Sequence, residues 1–178
     1  AWPGSTAVST DSHANILGAV GAFGQGMGDQ DIAAAWGKGK IWFKLPPSVR
    51  IRFKGKRPPR VSAKEFVLNM LAQFGPNTLL GASVELYGDA IDEMGLDERI
   101  TISSMATEMG AIIILFPPNR EVLRYCESRS RRKVSVQKAD ADASYKEVFR
   151  MDVSGFTPRI SRPGKPHDTV AIPEEKIW

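Results

Sequence analysis

The sequence predicts an α/β protein, in which helices pack against a sheet. Residues 49–54 alternate between apolar and basic side chains, as a strand with one buried face does. A capping box formed by Ser62 and Glu65 opens a helix whose apolar residues recur on one face. Residues 112–116 are aliphatic and aromatic, as in a strand buried on both sides, and they follow a helix predicted over 97–110.

The N-terminal part of the chain predicts a strand followed by two helices. Residues 5–10 end a strand and deliver Asp11 to the edge of a sheet, where α/β proteins bind ligands. We expect a glycine-rich packed helix over 15–27. Asp29 then caps a second helix over 30–36.

The rest of the chain shows five further features that predict local structure. Residues 82–87 predict a strand, and Asn119 is placed to cap a short helix. The basic Ser/Arg run 128–133 predicts a surface loop, and 145–153 predict a last strand or strand-helix unit. From Thr157 onward the frequent prolines predict an extended linker.

The composition is that of an ordinary globular protein. The chain has 178 residues, of which 42% are hydrophobic, so it can bury a core. No run approaches the roughly 18 apolar residues of a membrane helix, and no basic and apolar leader is visible. We therefore expect a cytoplasmic or organellar-matrix location and no membrane partner. The single Cys126 excludes an internal disulfide framework.

The positive charge is concentrated in two runs. Residues 37–60 contain nine basic and no acidic side chains, and 128–133 form the second run. Such runs can hold phosphate backbones, or they can be a solvated face. A nucleic-acid-binding module is therefore one alternative. Against it, only Trp42, Phe43 and Phe53 interleave with the cations as stacking platforms.

The most chemically suggestive stretch is Asp11-Ser12-His13, which precedes five glycines within 18–28. An imidazole titrates near neutrality and can shuttle a proton, while a carboxylate can orient it or hold a water. Glycines allow backbone segments to approach closely around such a group. The distant carboxylate of Glu108 completes the candidate constellation.

Several other interpretations of these residues are weaker. Asp11 could simply be a helix N-cap. Asp29 stands where a dinucleotide fingerprint needs its third glycine, and no phosphate loop is present. A hydrolase triad is disfavoured because adjacent side chains diverge and no G-x-S-x-G motif occurs. A metal site from His13, His167 and Cys126 has no recognisable spacing.

Taken together, the motifs resemble the large subunit of the aconitase superfamily, with the 3-isopropylmalate dehydratase and homoaconitase branch nearest. Each motif alone is weakly specific, but they occur in order over nearly the whole chain. The matching segments are residues 11–13, 17–24, 39–46, 97–111, 145–152, 158–160 and 166–168.

The resemblance implies a three-layer α/β/α sandwich of the aconitase type, covering parts of two subdomains. Residues 1–48 would end the first subdomain, 49–155 would form the second, and 156–178 would be an extended linker toward a cluster-binding part. The chain opens without an initiator Met, so we expect a middle segment of a longer protein.

The function implied by the resemblance is that of a hydro-lyase. Family members dehydrate and rehydrate hydroxy di- or tricarboxylates of the 3-isopropylmalate, homocitrate or 2-methylmalate type. They use a 4Fe-4S cluster held by three cysteines, and a small swivelling subunit or domain. Cys126 matches none of those cysteines, so we expect this chain to be inactive without the rest of the large subunit. A cysteine-free relative acting as a structural or regulatory partner is a further alternative.

The resemblance also assigns roles to individual residues. His13 would protonate the leaving hydroxyl, and Glu108 would contact the iron-bound water and the histidine. Ser12 would hydrogen-bond the substrate. Asp11 would fix a neighbouring histidine that the chain does not contain. Ser104 stands near the cluster where the family usually has an asparagine, and its shorter side chain puts that contact in doubt.

Overall fold

The computed structural model describes residues 1–130 and 133–173, which form a mixed α/β fold. Three 3-10 helices lie at Ser12–Val20, Thr107–Met109 and Val153–Gly155. The helices are α1 (Asp29–Lys38), α2 (Ala63–Phe74), α3 (Asp89–Asp92), α4 (Leu96–Ser104) and α5 (Arg120–Ser130). The strands are β1 (Thr6–Ser9), β2 (Phe23–Gly26), β3 (Ser48–Lys54), β4 (Ser83–Tyr87), β5 (Ile113–Leu115), β6 (Glu147–Asp152), β7 (Arg159–Ser161) and β8 (Thr169–Ala171).

The main sheet has four parallel strands in the order β5-β4-β3-β6. On β3, Val49, Ile51 and Phe53 are buried, as their alternation with basic residues predicted. Their face packs against α2, where the rings of Phe53 and Phe66 lie 4.9 Å apart. This arrangement confirms the α/β class and places the core between the sheet and α2.

Helix α2 begins as the sequence predicted. The Ser62 hydroxyl accepts a hydrogen bond from the Glu65 amide at 3.3 Å, and the Glu65 carboxylate accepts one from the Ser62 amide at 2.6 Å. Gly75, with a φ of 62°, follows the last turn. Both ends are thus set by local chemistry, which explains why they could be predicted.

The glycine-rich segment after His13 is not the helix predicted over 15–27. The 3-10 helix there ends at Gly21, whose φ is 71°, and β2 then pairs with β1 as a parallel strand. At Gly24 an added Cβ would lie 1.9 Å from the Ala14 carbonyl oxygen. The absence of a side chain at these glycines therefore allows the backbone of the 3-10 helix to lie close to the backbone of the strand that follows it.

The helix predicted over 97–110 is also interrupted. Helix α4 ends at Ser104, and a separate 3-10 turn carries Glu108. The Thr101 hydroxyl donates to the Asp97 carbonyl at 3.0 Å, and the Ser104 hydroxyl donates to the Thr101 carbonyl at 2.9 Å. Such back-bonding competes with helical hydrogen bonds, and Gly110 ends the turn with a φ of 73°.

The extended linker predicted from residue 157 is not what the structure describes there. Strands β7 and β8 pair in antiparallel fashion. They are fixed to α2, because the Asn69 amide donates to the Thr157 carbonyl at 2.8 Å and the Thr169 hydroxyl donates to the Leu68 carbonyl at 3.3 Å. Residues 174–178 of that predicted linker lie outside the described residues. The proposed subdomain boundaries stay predictions.

The Ser/Arg run 128–133 is only partly described. Residues 128–130 belong to the last turn of α5, so this part is helical rather than a loop. The Asn119 side chain caps α5 as predicted, accepting a hydrogen bond from the Val122 amide at 3.0 Å. Residues 131–132 lie outside the described residues. No helix in the described ranges is long and apolar enough to cross a membrane.

Candidate active site

Asp11 is the N-cap residue of the first 3-10 helix, and its side chain faces His13. One carboxylate oxygen, Oδ1, accepts a hydrogen bond from the His13 amide at 2.7 Å and lies 3.3 Å from the imidazole Nδ1. The Ser12 hydroxyl is 3.4 Å from the same ring nitrogen. The hydrogen bond from the His13 amide is the main cause that lowers the pKa of Asp11 below its ordinary value, and the hydrogen bond with the imidazole is the second. The carboxylate is therefore ionised at neutral pH.

This arrangement leaves the outer edge of the imidazole open. The His13 side chain is 55% exposed, and its Nδ1 faces Asp11. Its Nε2 has no hydrogen-bond partner in the part of the chain that the structure describes. A ring oriented at one nitrogen and open at the other is suited to proton transfer with a bound molecule.

Asn15 connects this segment to the turn that carries Glu108. Asn15 as a whole residue is only 2% exposed, and its Nδ2 donates to the Thr107 hydroxyl at 3.0 Å. Asn15 is two residues beyond His13, and Thr107 immediately precedes Glu108. The structure therefore joins the segments that hold two of the sequence-predicted site residues, which lie almost a hundred positions apart.

Two acceptor atoms at this junction are buried without a partner among the described residues. They are Oε2 of Glu108 and Oδ1 of Asn15. A buried acceptor without a hydrogen bond is rare, because it loses its hydration without compensation. The junction therefore holds two acceptors whose hydrogen-bonding capacity is unused among the described residues.

Ser104 is half-buried at the end of α4, and its hydroxyl donates to the Thr101 carbonyl. That donor is therefore occupied within the helix. A hydroxyl oxygen can still accept a hydrogen bond, whereas the amide of an asparagine would also present a free donor.

A buried arginine that was not predicted from the sequence fixes α4. Arg99 is completely buried, and its guanidinium donates to the carbonyls of Met94 at 3.0 Å, Pro117 at 2.7 Å and Ile91 at 2.9 Å. The Ser103 hydroxyl adds a bond of 3.1 Å to the carbonyl of Ile114 on β5. These acceptors are backbone carbonyls, which every residue type carries, so no sequence pattern marks them. They anchor the helix that leads to Glu108.

The described residues do not supply the ligands of an iron-sulfur cluster. No group of three or more His, Cys, Asp or Glu side chains is arranged to hold a metal within residues 1–130 and 133–173. Cys126 is buried on α5, and its burial raises the pKa of the thiol. A buried, protonated thiol is a poor metal ligand.

Comparison with known proteins decides the family. The profile of the aconitase family (aconitate hydratase) matches residues 1–177. The chain belongs to the aconitase family. Its curated relatives include 3-isopropylmalate dehydratase large subunit 1 of Pyrococcus abyssi, 35% identical over 170 residues that cover 96% of this chain and 40% of the relative.

Other relatives of this aconitase-family chain carry the same name. The 3-isopropylmalate dehydratase large subunit of Halothermothrix orenii is 36% identical over 98% of this chain and 42% of its own length. The 3-isopropylmalate dehydratase large subunit of Oleidesulfovibrio alaskensis is 37% identical over 97% of this chain and 41% of its own length. The chain thus spans about two fifths of the length of these relatives.

A double-mutant cycle tests the Asn15 junction. Asn15→Ala and Thr107→Ala each remove one partner of the same hydrogen bond. We therefore expect their effects on the free energy of unfolding to be coupled by about 1 kcal/mol. Urea denaturation of the four proteins measures the coupling. Asn15→Ala with Thr101→Ala is the control pair and should be additive, and additivity in both pairs would contradict the junction.

Proposed function

We propose that the full-length protein containing this chain is a hydro-lyase that dehydrates and rehydrates a hydroxy di- or tricarboxylate. Family membership and the names of the relatives support this proposal. The observation that carries it is the Asn15–Thr107 hydrogen bond, since it brings the segments of His13 and Glu108 to one junction.

The proposed roles agree with the side-chain environments. His13 protonates the leaving hydroxyl through its open Nε2. Ionised Asp11 orients this ring from Nδ1, a role different from the one that the resemblance implies, in which Asp11 fixes a neighbouring histidine that the chain does not contain. Ser12 is exposed beside the imidazole and hydrogen-bonds the substrate. The unpartnered Oε2 of Glu108 accepts a hydrogen bond from the hydroxyl or water at the reacting centre.

The missing parts of the site must come from elsewhere in the assembly. The family's 4Fe-4S cluster would be held by cysteines outside residues 1–178, and Ser104 would lie near it. The relatives are named large subunits, so we propose a small subunit or swivelling domain as the partner. The chain alone is then inactive.

For the substrate we propose 3-isopropylmalate itself, because the relatives that cover nearly all of this chain are named for it. Homocitrate and 2-methylmalate are the competing substrates. Loops and the small subunit select among them, so all three belong in the assay.

The test is a dehydration assay on the full-length protein with its small subunit, purified without oxygen. Formation of the conjugated unsaturated acid is followed by ultraviolet absorbance, and bound iron and sulfide are measured in the same sample. We expect turnover of 3-isopropylmalate together with iron. Cluster-loaded protein that turns over none of the three hydroxyacids would overturn the proposal.

A nucleic-acid-binding role is not favoured. Within the basic run 37–60, Arg57 is paired with Glu98 at 2.6 Å and Lys54 with Asp152 at 3.3 Å. Arg50 is stacked between aromatic rings. These cations are engaged within the fold instead of forming one continuous phosphate-binding face.

A further inference from the structure

A second candidate site lies at the carboxyl ends of β3, β4 and β5. A cleft of about 850 Å³ opens there, within the usual size range of small-molecule sites. Gly21, at the far end of the first 3-10 helix, is part of its wall. At a rise of about 2.0 Å per residue, the eight residues from His13 to Gly21 separate the two sites by roughly 16 Å.

Arg50 is the central side chain of the cleft. Its guanidinium carbon lies 3.8 Å from the centre of the Tyr145 ring and 4.8 Å from that of Tyr87. Its Nη2 donates to the Tyr145 hydroxyl. A guanidinium held between two rings is fixed in orientation, so it loses little freedom when a ligand binds.

Glu85 of β4 stands directly opposite Arg50 in the strand register, and its carboxylate is engaged with the two tyrosine hydroxyls. Glu85 accepts hydrogen bonds from the hydroxyls of Tyr87 at 2.7 Å and Tyr145 at 2.8 Å. Burial first, and then Glu85, raise the pKa of both phenols, which therefore remain donors. The Nε of Arg50 is buried and has no partner within the described chain. This leaves a desolvated N–H without an acceptor.

Two further cations stand at the cleft. Arg52 follows Arg50 on the same face of β3, and Lys138 approaches from the segment before β6. The strand register sets Arg52 directly opposite Arg150 of β6. Arg150 lines a different cavity, beside α2, so the cations that line this cleft are Arg50, Arg52 and Lys138.

Much of the remaining wall is apolar, although Asp92 and Gln137 line the cleft as well. The apolar part consists of Leu115 at the end of β5, Phe116, Pro117 and Pro118 directly after it, and Val136. A fully charged ligand such as phosphate would leave this part of the cleft in contact with no ligand atoms. A carboxylic acid with a short aliphatic part would cover both regions.

We propose that this cleft binds a small carboxylate, with its carboxyl group beside the fixed guanidinium of Arg50 and its aliphatic part against Leu115 to Pro118. The site is independent of the proposed dehydration, because it uses none of the residues assigned to that reaction. Its ligand class follows from a fixed guanidinium beside an apolar wall.

Calorimetric titration of the full-length protein tests the proposal with three probes. Butyrate should bind, while 1-butanol, which lacks the charge, and inorganic phosphate, which lacks the aliphatic part, should each bind about tenfold more weakly or not at all. Equal binding of phosphate, or no binding of butyrate, would overturn the proposed ligand class.

Variants assign the binding to the cleft. Arg50→Gln should weaken butyrate binding about tenfold or more, and Arg52→Gln, at an exposed position that does not threaten folding, should weaken it by a smaller factor. Arg124→Gln removes the same charge from the exposed face of α5 and should have no effect. Thermal unfolding checks that each variant is folded. Unchanged affinity in both cleft variants would overturn the site.

Discussion

Replacing His13 by alanine in the full-length protein is expected to reduce the rate of dehydration by a factor of about 100 to 10,000, the usual contribution of a general acid. The fold should survive the change, because the side chain is more than half exposed. The helix cap also persists, since Asp11 accepts its shorter hydrogen bond from the main-chain amide of residue 13. The loss should appear mainly in kcat.

The other histidine of the chain provides the control. His167 lies between β7 and β8, and its carbonyl accepts a hydrogen bond from the Thr169 amide, a main-chain contact that alanine retains. His167→Ala should therefore leave turnover unchanged. Steady-state kinetics and circular dichroism are measured on both variants. Normal turnover by His13→Ala would withdraw the catalytic assignment.

The second large effect is expected from Gly18→Ala, which should lower the free energy of unfolding by about 3 kcal/mol or more, at the upper end of what overpacking costs. An added Cβ would lie 1.9 Å from the carbonyl oxygen of Ile114. The neighbour is main chain of β5 and cannot turn aside as a side chain could. The same glycine accepts a hydrogen bond from the Phe116 amide at 3.0 Å, which the shift would stretch.

Gly37→Ala is the matched substitution without a clash. Gly37 is exposed in the last turn of α1, and an added Cβ there meets no atom within 4 Å. Alanine should stabilise the protein by about 0.5 to 1 kcal/mol, because it reduces the backbone freedom of the unfolded chain. Chemical denaturation compares the two variants. If Gly18→Ala were as stable as the parent, the contact between the first 3-10 helix and β5 would be wrong.

Local chemistry explains what could be predicted from the sequence. The capping box of Ser62, the cap at Asn119 and the alternation along β3 depend on residues within a few positions of each other. Such signals are present before any tertiary contact forms, and the corresponding elements appear where they were expected. The family resemblance came from the same kind of evidence, because ordered motifs are visible without the fold.

Tertiary contacts explain the failures. The helix expected over 15–27 is divided, because Gly24 must lie against the carbonyl of Ala14. The segment expected to be a linker is instead a strand pair held by Asn69. In the candidate site, His13 and Glu108 could be predicted from the sequence, but the role of Asn15 in joining their segments could not. Asn15 carries no motif, and its partner lies 92 positions away.

One carboxylate oxygen of Asp11 makes both a structural contact and a contact with the proposed catalytic imidazole. Its Oδ1 caps the N-terminus of the first 3-10 helix by accepting a hydrogen bond from the His13 amide, and the same atom faces the imidazole. Deleting this side chain therefore removes a structural contact and a charge together, and the two losses cannot be told apart. Asparagine is an equally good capping residue without the charge, so Asp11→Asn separates the two losses.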